Sequence, residues 1–328
     1  MLSRVADSIY WMSRYVERAE NVARFIDVNL NLMLDAPSGA DQQWEPLVNT
    51  TGDHELFAKR YGKPSQHNVI HFLTFDRENP NSMISCLRSA RENARSVREI
   101  ISSEMWLQLN KFYLMVNDAA SSERHTESPH DFYTHVKLAS HLFTGITEAT
   151  MTHGEPWHFC RLGRKLERAD KTSRILDVKY FILLRSVAEV GTAFDDIQWA
   201  AVLRSASAFE MYRKRHGRIS PKGIVHFLLL DSEFPRAIRF CLNCAQDSLH
   251  RISGTPIGSF RNNAEKLMGQ LSSDLAYVNV DEILNQGLHE YLDDLQDRVN
   301  SIGNSVFDTF FARQSAVAPT LARKGLSQ

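Results

Sequence analysis

Much of what would mark a specialised protein is missing from this 328-residue chain. Four cysteines are too few at this length for a disulfide scaffold, so a reducing, cytoplasmic setting is expected. No apolar run approaches the roughly 20 residues of a membrane helix. The stretch Ile224–Leu230, among the longest, contains His226. Asp7 and Arg14 interrupt the opening segment, which therefore reads as a helix and not as an export signal. Neither sign of charge prevails: 38 Lys and Arg against 39 Asp and Glu leave a net charge of -1. That excludes the basic footprint of a general nucleic-acid binder. There is no Gly-rich phosphate loop, no G-x-S-x-G and no sequence-marked catalytic triad. Sustained strand-like alternation is absent too. What remains, 43% hydrophobic and 23% charged residues, is the composition of an ordinary globular protein.

The informative feature is internal repetition. A shift of 150 residues lays Arg14, Glu17, Arg18, Ala19, Arg24, Asp27, Val28 and Leu34 on identical residues from Arg164 to Leu184. A shift of 155 superposes Glu55–Ala90 on Glu210–Ala245 with 14 identities over 36 positions and no gap. The change of shift implies five extra residues in the second copy, placed around Val187–Asp195. A period this long is not a solenoid unit. It implies duplication of a whole subdomain, with residues 1–153 and 154–312 as two helical repeats that pack either separately or as one domain, and with 313–328 as a flexible tail.

Apolar residues from Val5 recur at 9, 12, 16, 19, 23, 26, 30 and 33, the alternating steps of a long amphipathic helix. Helices are expected near 3–35, 42–61, 65–75, 79–101, 103–118 and 130–152, then near 155–187, 196–216, 221–230, 235–252, 258–277 and 282–312. The fold class is therefore all-α, a helical bundle of two duplicated halves with about six helices each. Gly62 and Gly217 are expected at helix C-caps, and Pro80 and Pro235 in helix first turns.

Glu17-Arg18 recurs as Glu167-Arg168. Adjacent helical residues lie about 100° apart and do not face each other. On a helical wheel Glu17, Glu20, Arg24 and Asp27 form a polar strip beside the apolar seam, repeated by Glu167, Asp170, Arg174 and Asp177. Glu20 and Arg24, like Asp170 and Arg174, have the favourable i, i+4 spacing. Glu17 can reach back to Arg14 and Glu167 to Arg164. Arg18 and Arg168 have no acidic partner within reach on their own helices, so each should meet a carboxylate or phosphate from elsewhere. Three readings follow: an inter-helix ion pair, an anchor for an anionic ligand or partner, or a solvated face. Arg161, Arg164, Arg168 and Lys171 also make a basic stripe opposite the seam, which suits solvent or an acidic partner.

Other groupings have plainer readings. Glu17-x-x-Glu20 and Glu167-x-x-Asp170 pair carboxylates as di-metal bundles do, but no Glu-x-x-His occurs in these helices and Arg24 and Arg174 would neutralise them, so no metal or other cofactor is expected. His71 and His226 lie in matching apolar contexts and read as hydrogen-bonded core histidines, with an acid–base or ligand role behind. Cys241-x-x-Cys244 lacks the second pair of a zinc site and reads as core thiols. Asp76 and Asp231, followed by Glu78 and Glu233, sit just before the next helix and suit capping or linker roles.

At SRYVERAENVAR and FLTFDRENPNSMISCLRSARENARSVREIISSEMW the chain closely resembles the bacterial alpha-E family, an all-helical domain named for a Glu-Arg motif. The likeness runs from Met1 to about Phe311. It implies association with a circularly permuted ATP-grasp protein, often also with a transglutaminase-like protein, in a system that forms or edits peptide amide bonds. The first expectation is a non-catalytic helical subunit that docks the ligase or presents its substrate through the Glu/Arg strips, and charge reversal at Arg168 would then weaken the complex without lowering the melting temperature. The alternative is a peptide- or amide-modifying enzyme, with Glu17 or Glu167 as general base and Arg18 or Arg168 holding an anion. A third is a structural oligomerisation module.

Overall fold

The computed structural model of the chain describes residues 1–34, 44–122, 128–183 and 193–312, and the expected five-residue insertion and the C-terminal tail lie essentially outside them. Among the described residues are 15 α-helices and no strand. They are α1 (Ser3–Leu34), α2 (Glu45–Thr51), α3 (His54–Tyr61), α4 (Gln66–Thr74), α5 (Met83–Ser96), α6 (Ser103–Ser122) and α7 (Pro129–Thr150). There follow α8 (Glu155–Leu183), α9 (Ala193–Ser205), α10 (Phe209–His216), α11 (Pro221–Leu230) and α12 (Ile238–Ser253). The last are α13 (Asn263–Tyr277), α14 (Val280–Gln286) and α15 (Leu288–Val306), which runs into a π-helical turn, Phe307–Phe311.

Three expected helices are each divided in two. The breaks fall at Gly52, Ser207 and Gly287, all with positive φ (78°, 50° and 108°). Gly52 and Ser207 correspond at the 155-residue shift. Periodicity alone does not reveal such breaks, because both sides of the kink keep apolar residues toward the same core. Gly62 and Gly217 do cap helices, each with a positive φ (70° and 71°) that favours glycine. Ser65 and Ser220 accept from backbone amides at the starts of α4 and α11. Pro80 and Pro235 depart from expectation. They stand in turns ahead of α5 and α12, where their carbonyls face the Cys86 and Cys241 thiols (3.8 and 3.4 Å).

The apolar seam of α1 works as its spacing requires: Ile9, Met12, Val16, Ala19, Ala23 and Ile26 are all buried. Each large side chain among them contributes about 1.5–3 kcal/mol of transfer free energy. Helices α1, α5, α6 and α7 pack in a closed ring of four, as do α8, α12, α13 and α15. The two rings meet where α1 lies on α8. Short elements cross over, with α2 packing on α8 and α9 on α1.

Small residues allow the α1–α8 approach. A Cβ on Gly163 would stand 2.5 Å from the Tyr10 carbonyl oxygen, which is backbone and cannot rotate away. Nearby, the Ser13 hydroxyl lies 2.8 Å from the Cys160 sulfur. Gly163→Ala should therefore cost about 1–3 kcal/mol through overpacking, read as a lower urea midpoint. An unchanged midpoint would mean that the helices part freely here.

Candidate functional site

The Glu-Arg pairs meet across the α1–α8 contact. Arg168 donates to Glu17 through Nε (2.8 Å) and Nη2 (2.6 Å). Reciprocally, Arg18 donates to Glu167 through Nε (2.6 Å) and Nη2 (3.1 Å). Both contacts are forked guanidinium–carboxylate pairs, which fix orientation as well as charge. Both glutamates are buried. The off-helix partner that each arginine requires is thus the glutamate of the other copy of the motif.

Further cations converge on each acid. Arg14 donates to Glu167 from Nε (2.8 Å), and Lys171 lies 3.6 Å from the same carboxylate. On the other side, Arg236, from the turn before α12, donates to Glu17 (3.2 Å), Asn21 (3.2 Å) and Glu20. Glu20 accepts from Arg24 at the expected i, i+4 spacing (2.6 Å) and from Ser140 of α7 (2.6 Å). Arg24 also donates to Ser207 and lies 3.0 Å from His141 Nε2, so the kink after α9 is tied into the polar layer. Asp170 accepts from Lys171 (2.8 Å) and Arg174 (3.1 Å). Farther along, Asp27 meets His130 (2.6 Å) and Lys137 (2.7 Å) of α7, and Asp177 meets His289 (2.8 Å) of α15.

Burial alone would raise the pKa values of these carboxyls, but the facing cations outweigh it. Arg168 and Arg236 hold Glu17 below its ordinary value. Glu20 lies well below, through Arg236, His141 and Arg24. Arg18, Arg14 and Lys171 hold Glu167 well below, and Lys171 and Arg174 bring Asp170 to about 2. Burial, helped by Arg168 and Arg24, lowers Arg236 to about 10, still protonated at neutral pH. All four acids are therefore charged acceptors already engaged by donors. A carboxylate in that state is a poor general base, and the open basic group that the catalytic alternative requires is not supplied by Glu17 or Glu167.

Several expectations are corrected by this geometry. Arg14 bonds Glu167 and not Glu17, and Arg164 bonds Glu148 (2.7 Å) and not Glu167. Each cation of the stripe Arg161, Arg164, Arg168 and Lys171 has an acidic partner within the chain: Arg161 bonds Asp247 (2.6 Å) and the other three are engaged as described. Charge reversal at Arg168 would set a carboxylate against buried Glu17, so it would damage the fold before it reported on docking. His71 and His226 are exposed, not core, because the residues that flank them turn the apolar faces of α4 and α11 inward. His71 Nδ1 lies 2.9 Å from the Tyr61 hydroxyl, which donates to Asp76. Asp76 and Asp231 do cap their turns, accepting from the amides of Glu78 and Glu233. Cys241 is a core thiol, as is its counterpart Cys86, which burial pushes up to about 12, whereas Cys244 is only half-buried and not core.

Sequence reasoning missed Arg236, Asn81, Lys137, His130, His141 and His289 as members of this layer. Two signals were available. Arg236 aligns with Asn81 at the 155-residue shift, and His289 follows His130 by 159 residues, each opposite its matched aspartate. Among the described residues, no group of three or more His, Cys, Asp or Glu is placed to hold a metal ion.

Beside the Glu167 pair lies a polar cavity of about 180 Å³. Arg14, Arg18, Lys171 and Arg174 line it with Asp170 and Asn81. Asn81 accepts from Arg18 Nη1 (2.6 Å) and donates to Asp53 (2.9 Å).

Comparison with known proteins places this geometry in a family. Uncharacterized proteins of Mycobacterium bovis and Mycobacterium tuberculosis are 22% identical over 336 aligned positions, covering 96% of this chain. The chain spans 37% of the length of these relatives. No solved structure matches. Among the described residues, no helix is long and apolar enough to cross a membrane. Residues 1–311 match Alpha-E, described as a predicted alpha-helical domain with a conserved ER motif, and the chain belongs to that family.

Proposed function

We propose that the chain is a non-catalytic helical subunit of a cytoplasmic amide- or peptide-ligase system built on a circularly permuted ATP-grasp enzyme, where it docks the ligase or presents its substrate, with a transglutaminase-like protein as a further partner. The observation that supports this reading is the reciprocal burial of the motif. Glu17 with Arg168 and Glu167 with Arg18 are occupied in joining two helices, which is the work of a scaffold. Docking or presentation then falls to other surfaces. The greater length of the mycobacterial relatives fits a module that works beside further domains. The duplication seen in the sequence fits a two-copy scaffold whose halves, 1–153 and 154–312, are joined through that contact.

Reconstituting the ligase with and without this chain tests the reading. The chain should co-purify with the ligase and raise its ATP-dependent ligation, and a folded Glu17→Gln variant should do so as well as the native chain. Turnover by the isolated chain, lost in folded Glu17→Gln, would favour the enzymatic alternative instead.

A further inference from the structure

The two sides of the α1–α8 contact are built from corresponding positions that are filled differently. Asn81 corresponds to Arg236, and Lys171 to Asn21. On the Glu17 side the cation comes from the turn, as Arg236, and the amide from the helix, as Asn21. On the Glu167 side they change places: Lys171 is on α8 and Asn81 is in the turn. Arg236 is buried and reaches both Glu17 and Glu20, so it fills its side. Asn81 is shorter and stops at Arg18, and the cavity of about 180 Å³ is what remains.

That cavity has an excess of positive charge. Arg14, Arg18, Lys171 and Arg174 face one lining carboxylate, Asp170, with Glu167 behind Arg18 and Asp53 behind Asn81. Cations outnumber acids even when both are counted. Donors remain as well. Arg14 uses Nε on Glu167 and Nη1 on Tyr10, and Arg174 uses Nε on Asp170 and Nη1 on the Thr50 carbonyl. The Nη2 group of each has no protein acceptor among the described residues. Val22 and Phe25 supply an apolar wall, and Phe25 also borders a narrow slot formed with Val28, Leu47 and Val178.

We infer that the cavity enclosed by Arg14, Arg18, Lys171 and Arg174 binds an oxyanion group, the carboxylate or phosphate of a small organic ligand whose carbon portion lies against Val22 and Phe25. Guanidinium forks match such groups in geometry, and a partly buried site strengthens the pairing. The Glu17 side is closed to the same ligand by Arg236. This inference stands apart from the ligase reading, since it concerns only what the chain itself binds.

Calorimetric titration of the full chain with inorganic phosphate and, separately, with glutarate tests it at constant chloride. Saturable binding of one probe is expected, and the stronger arm tells phosphate from carboxylate. The double substitution Asn81→Arg with Lys171→Asn writes the closed side onto the open one at unchanged charge. It should keep the melting temperature while weakening binding by about tenfold or more, ~1.4 kcal/mol. Should that pair fail to fold, Arg174→Gln, which leaves both Glu-Arg pairs intact, should weaken binding similarly. No saturable binding of either probe by the native chain, or equal binding by a folded variant, overturns the inference.

Discussion

Glu167→Ala is expected to cost about 3–5 kcal/mol of folding free energy, the largest loss from any single substitution in the polar layer. The carboxylate accepts from Arg18 and Arg14 and balances Lys171, so its removal strands several partly buried cations that water cannot fully reach. Truncating an arginine is milder. Without Arg18, Glu167 keeps Arg14 and Lys171, and Arg18 is itself 16% exposed. The order Glu167→Ala well below Arg18→Ala in stability, measured by urea denaturation, distinguishes a hub acid from a simple pair. Removing Arg18 and Arg14 together with Glu167 should recover part of the loss, because apolar replacement of a complete buried group is less costly than breaking it. Equal losses for the glutamate and the arginine would refute the hub.

Acid should unfold the protein steeply between about pH 5 and pH 2. Glu17, Glu20 and Glu167 have folded pKa values below their ordinary values, and Asp170 lies at about 2. A carboxyl depressed in the folded state contributes stability that is fully present above its unfolded pKa and is lost as pH falls toward the folded one. Each unit of depression is worth about 1.4 kcal/mol. Asp7 and Asp177 run the other way, raised mainly by burial, and offset a small part. Denaturation curves at pH 7, 5, 4 and 3 should show free energy falling with proton uptake, and Glu167→Gln should flatten the slope. A level profile from pH 5 to pH 3 would contradict the charge assignments.

How much of this was readable beforehand depends on how local the signal is. The seam of α1 was legible because Ile9, Met12, Val16 and Ala19 repeat the helical period that burial enforces. The want of a local partner for Arg18 and Arg168 was legible from helical spacing alone, which pointed to a carboxylate or phosphate from elsewhere; the partner is a carboxylate of another helix. Which carboxylate was not, because neither copy's sequence records that the other lies against it. Arg236 was illegible for the same reason: it precedes its helix in a turn, where no periodicity marks a side chain as inward. The wheel placed Glu20 and Asp27 beside the seam, yet both are buried, since α5, α7 and α8 surround α1 on several sides. His71 and His226 have apolar neighbours in sequence yet are exposed, because exposure follows the angle around the helix.

The exchanged placement of amide and cation has a consequence for descent. No single replacement carries one arrangement into the other. Arg at 81 beside the retained Lys171 crowds a surplus positive charge against Arg18, while Asn at 171 beside Asn81 takes from Asp170 its nearest cation and from Glu167 its third. Either intermediate is handicapped, so lineages should keep the open hollow on one flank and the stoppered one on the other, each trapped in its own basin.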